Sequence, residues 1–64
     1  MSKESKIKTL RLRAGLSQNG LARKANLDRA TVAAAEAFKH ISDVSLARIA
    51  TALAVDSGEI DERI

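Results

Sequence analysis

Little in this sequence could make or break a covalent bond. It holds one histidine, His40, and no cysteine, and its eight carboxylates show no pairing that would suit acid–base work. No glycine-rich loop is present to cradle a phosphate, so nucleophilic, acid–base and metal chemistry all lack their residues, and no catalytic or metal site is expected. What the chain does hold is a set of donors suited to an anion. Gln18 and Asn19 follow Ser17 at a helix start, where free backbone N–H groups already favour negative charge. Arg29 follows Asp28 at a second such start, and its planar guanidinium can give two parallel hydrogen bonds. Thr31, Lys39 and His40 come after it.

The charge is distributed to match. Met1 to Arg29 carries eight Lys or Arg against two acids, a net +6, while Ala30 onward carries three against six, a net −3. A basic front and an acidic rear fit one anion-facing surface, although a basic stretch by itself is more often a solvated face. Sixty-four residues make one domain, 1–64, near the lower size limit for folding without a disulfide or metal. The lack of cysteine suits a reducing compartment, and the polar start MSKESK offers no signal-peptide core. No apolar run reaches the roughly 18 residues of a membrane span. The expected setting is the cytoplasm, with no membrane partner.

The elements that must carry these donors are helices. The chain has no proline, three glycines and abundant alanine, which predicts an all-α bundle. Four helix starts share one pattern: an apolar residue, then Ser or Asp, then another apolar residue four positions later. Leu16-Ser17 goes with Leu21, Leu27-Asp28 with Val32, Ile41-Ser42 with Leu46, and Val55-Asp56 with Ile60. This is an N-cap with a hydrophobic staple. It predicts helices at about 5–14, 18–25, 29–37, 43–54 and 57–63, with Gly15 ending the first. Phe38 to Ser42 is a loop. Asn26 supplies the left-handed residue that a tight turn between the second and third helices requires. The predicted core is Ile7, Leu10, Leu21, Ala22, Val32, Ala35, Leu46, Ile49, Ala50 and Leu53, with Leu12 and Ala14 adding apolar contact from the first helix.

Leu16-Ser17-Gln18, Leu21-Ala22, Thr31-Val32 and Glu36 resemble the phage repressor and Cro helix-turn-helix family (XRE-like, lambda-repressor-like), over about Ile7 to Val55. The resemblance implies a compact five-helix domain that binds double-stranded DNA, with the third helix in the recognition role. It implies a partly buried ion pair between Arg11 and Glu36, which is architecture rather than chemistry. It gives Gln18, shared with Asn19, the role of a phosphate clamp. Arg29, opening the third helix, has the reach for a guanine edge or else a phosphate, and Thr31 for a phosphate, a thymine methyl or a local cap. Lys39 is assigned to the DNA backbone, and His40 stands beside it, though a lone loop histidine is more often merely solvated.

Two features depart from the family. The outward positions Ala30, Ala33, Ala34 and Ala37 are bare where polar side chains are usual, so shape would have to carry part of the readout. Phe38 stands where glycine usually ends the helix. The expected function is a sequence-selective transcriptional regulator, on balance a repressor, acting as a homodimer through an apolar edge of Val55, Ile60 and Ile64. The alternative is a protein-interaction module on the same fold, of the antitoxin or bridging-factor kind. Convergence of Gln18, Lys24, Arg29 and Lys39 on one face would favour DNA. No cofactor and no small-molecule ligand is implied.

Overall fold

Four helices in this chain are stopped in the same way, and the stops set the architecture. In the computed structural model, which describes residues 4–61, the helices are α1 (Lys6–Arg13), α2 (Gln18–Ala25), α3 (Arg29–Glu36), α4 (Asp43–Ala52) and α5 (Ser57–Ile60). No strand occurs among the described residues. After each of the first four helices one residue turns left-handed: Gly15 (φ 71°), Asn26 (57°), Phe38 (62°) and Ala54 (58°). The next residue then donates its N–H to the carbonyl five positions back. The bonds are Leu16 to Arg11 (3.0 Å), Leu27 to Ala22 (2.8 Å), Lys39 to Ala34 (2.9 Å) and Val55 to Ala50 (3.0 Å). This Schellman closure satisfies carbonyls that the helix end would otherwise leave orphaned.

Three of the five starts follow from side-chain oxygens. Ser17 accepts from the Gly20 N–H at 2.9 Å and Ser42 from the Ser45 N–H at 3.1 Å. Asp28 and Asp56 have the extended backbone of a cap without the side-chain bond. A further cap, Ser5, went unread in the sequence. It is buried, and its Oγ accepts from the N–H groups of Ile7 and Lys8.

In three of the four junctions the left-handed residue, an apolar residue and the cap of the next helix therefore follow one another directly. They are Gly15-Leu16-Ser17, Asn26-Leu27-Asp28 and Ala54-Val55-Asp56. The apolar member closes one helix and precedes the cap of the next, and Leu16, Leu27 and Val55 all pack partly against the core. The junction between α3 and α4 carries two extra residues, Lys39 and His40, both exposed.

Helix α3 packs on α2 and α1, α4 on α2 and α5, and α1 on α5. The core they enclose contains Ile7, Leu21, Ala22, Val32, Ala35, Leu46, Ile49 and Ala50, joined by Ala25, Ile41, Ala52 and Ile60. Leu10 and Leu53 are only partly buried against it. Among the described residues no helix is long and apolar enough to cross a membrane.

Three expectations need correction. Leu12, assigned to apolar contact, is 57 % exposed, and Ala14 is exposed as well, because α1 buries the face of Ile7 and Arg11 instead. Helix α4 stops at Ala52 rather than Ala54, since Ala54 takes the left-handed turn. That turn brings α5 back onto α1 and α4, so Ile60 is 1 % exposed, a core residue and no part of an apolar edge. Val55 is half-buried, and Ile64 lies outside the described residues. The fifth helix ends at Ile60, and its expected extension over 62 and 63 also lies outside them.

Left-handed backbone costs an L-residue about 1–2 kcal/mol, and glycine's extra unfolded freedom returns roughly half of that. Ala54→Gly, at an exposed site, should therefore gain about 0.5–1 kcal/mol, a rise of roughly 3–6 °C in Tm. Asn26→Gly should gain less, because asparagine tolerates the conformation. Calorimetry that found Ala54→Gly no more stable than the parent would remove left-handed strain as an account of that turn.

Candidate nucleic-acid interface

The best-defined polar cluster lies where α1, α2 and α3 meet. Arg11 is on the inward face of α1 and Glu36 is the last residue of α3. The Arg11 Nε donates to Glu36 Oε2 at 2.7 Å and Nη2 donates to Oε1 at 3.1 Å, a two-pronged pair. The remaining guanidinium nitrogen, Nη1, donates to the Leu16 carbonyl at 2.9 Å. Side-chain exposure is 9 % for Arg11 and 7 % for Glu36, so water competes little for either charge. The Arg11 pKa is raised, chiefly by the hydrogen bond to Glu36, with burial opposing and charge attraction assisting. A raised basic pKa gives stability that is fully present below the ordinary arginine value and lost only as pH climbs through the raised one. On the alkaline side, Arg11 therefore keeps its proton and its share of the pair well past neutral pH.

Gln18, the first residue of α2, joins this cluster. It is half-buried, and its Nε2 donates to Glu36 Oε1 at 3.3 Å. Asn19 beside it is exposed. At the start of α3, Arg29 and Ala30 are exposed, while Thr31, Ala33 and Ala34 are half-buried. Ala34, counted with the outward face, instead packs partly against the core. The exposed face of α3 is thus narrower than four alanines suggest.

A shallow open groove runs beside that face, lined by Ala30, Thr31, Ala34, His40, Ile41, Ser42 and Ser45. His40 therefore stands next to α3. Lys39 lines a separate recess with Phe38, Ile7, Ala35, Ile41, Leu46 and Ile60. Lys24 borders a third depression, between the end of α2 and α4, with Asn26, Val44 and Arg48. Lys24 and Lys39 thus lie in separate depressions.

Two contacts had no signal in the sequence. Arg48 Nη1 reaches from α4 to the Asn26 carbonyl at 3.2 Å, pinning the turn between α2 and α3. The bond from Gln18 to Glu36 is the other. Both join residues about twenty positions apart, and only the packing of helices brings them together.

A family model described as helix-turn-helix matches residues 7–60 of the chain. Comparison with curated proteins and with solved structures gave no significant match.

Removing one partner of a buried pair strands the other's charge, which costs about 3–5 kcal/mol. Arg11→Ala and Glu36→Ala should each lose that much in chemical denaturation. Replacing both by methionine should cost far less, because an apolar pair of similar volume leaves no unpaired charge. Equal stability of either alanine variant and the parent would show that the pair holds nothing together.

Proposed function

The chain belongs to the phage-repressor-like helix-turn-helix family of DNA-binding proteins, and from that premise we infer that it is a sequence-selective transcriptional regulator. In this reading it is a repressor that lays α3 in the major groove and binds as a homodimer. The observation that carries the reading is the exposed Arg29–Ala30 pair at the start of a helix anchored at its other end by Glu36. Arg29 alone on the outer face of α3 combines reach, charge and a fork of donors, so direct base reading falls to it. Ala30 and Ala33 can sense only thymine methyls and the shape of the groove. Gln18 and Asn19, with Lys39 and His40 after α3, hold the phosphate backbone, and Thr31 supports either role.

The dimer fits the dimensions. The domain measures 29 × 23 × 21 Å, shorter than the roughly 34 Å that separates half-sites one turn apart. Two copies can therefore lie side by side on one face of the duplex. With Ile60 in the core, Val55 is the described member of the proposed apolar edge that still has exposed surface.

Selection of bound duplexes from a randomised pool tests the reading first, since failure to enrich any sequence would favour the protein-interaction alternative. On single-base variants of a selected duplex, Arg29→Ala should lose about 1–3 kcal/mol, concentrated at one base pair per half-site. Lys39→Ala should weaken every sequence alike and flatten the salt dependence by about one unit. Equal weakening of all sites by Arg29→Ala would make Arg29 a phosphate contact. Sedimentation should show dimers on the duplex, and monomers both free and bound at high micromolar concentration would exclude the homodimer.

A further inference from the structure

One side chain of the interface is held from behind. The Gln18 amide nitrogen donates to Glu36 Oε1 at 3.3 Å, the same oxygen that accepts from Arg11 Nη2. A carboxylate only accepts hydrogen bonds, so this contact fixes which way round the Gln18 amide sits. Its Nε2 turns toward Glu36 with one N–H engaged and the other left over. Glu36 cannot swing away, because Oε2 takes the Arg11 Nε at 2.7 Å and both side chains are more than nine-tenths buried. The arginine has a second effect. A bare carboxylate one hydrogen bond behind Gln18 would repel a phosphate, and the guanidinium cancels that charge at the same place.

We propose that Glu36 is a positioning residue for DNA contact, holding the Gln18 amide with its second N–H directed to a phosphate oxygen, and that Arg11 neutralises Glu36 so that the phosphate can approach. The ion pair is then part of the binding device as well as a tie between helices. This rests on the reading of Gln18 as a phosphate clamp.

The test is a cycle on duplex affinity in the full chain, using Gln18→Ala in the parent and in the Arg11→Met/Glu36→Met variant. The methionine pair leaves net charge unchanged, so long-range attraction to DNA is the same in both backgrounds. Gln18→Ala should weaken binding about tenfold in the parent, the weight of one hydrogen bond to an anion. In the methionine background the loss should fall below about twofold, since nothing there orients the amide. An equal loss in both backgrounds overturns the positioning role and leaves the clamp standing. No loss in the parent refutes the clamp, and the proposal with it. Should the methionine variant not fold, the parent's nitrogen–proton spectrum decides, because Gln18 is the only glutamine in the chain. One of its two amide protons should stay fixed and exchange slowly when duplex is added, while the other shifts. Two protons that move together, or that exchange as fast as those of exposed Asn19, overturn the proposal.

Discussion

The Glu36 carboxylate is the point on which this small domain depends. It takes hydrogen bonds from Arg11 on α1 and Gln18 on α2 while itself ending α3. Arg11 adds a bond to the Leu16 carbonyl in the junction between α1 and α2. Four segments are thereby fixed against one another by two charged side chains and an amide. Such directional bonds do what the alanine-rich faces cannot. A methyl group packs acceptably in many registers, whereas a two-pronged guanidinium–carboxylate pair is satisfied in one. With so few large side chains in the core, the buried pair is the device that sets the angle of α3.

The junctions supply the second constraint. Three of them spend only three or four residues between helices, which leaves little freedom in where the next helix begins. The fourth is longer by Lys39 and His40, both exposed, and His40 borders the groove beside α3. A rigid frame with one lengthened connection is a common way for a scaffold to present contacts outside its own packing.

The beginnings of the helices were legible and the ends only half so. Ser17, Asp28, Ser42 and Asp56 announce the starts because capping needs particular side chains, whatever the rest of the fold does. Gly15 and Asn26 announce two of the stops for the same reason. Phe38 and Ala54 do not, since neither favours left-handed backbone, and tertiary packing imposes it on them. That is why α4 reads two residues too long from its sequence and why the return of α5, with the burial of Ile60, could not be read. The exposure of Arg29 was legible from its place at a helix start. The positions of Lys24 and Lys39 in separate depressions were not, because residue type fixes charge and reach but not which way a flexible stem leaves the surface.

The shared apolar residues of the short junctions have a bearing on how the molecule comes apart. Leu16, Leu27 and Val55 each belong to the closure of one helix and to the staple pattern of the next. The tail of α1 cannot fray without loosening the head of α2, and the same linkage joins α2 to α3 and α4 to α5. Local opening, the usual low-energy route by which helix ends exchange with solvent, is therefore tied in neighbouring pairs. Of the four junctions, the one between α3 and α4, where Lys39 and His40 separate the stop from the next start, lets one helix end relax alone. The seam of the molecule runs beside the face of α3.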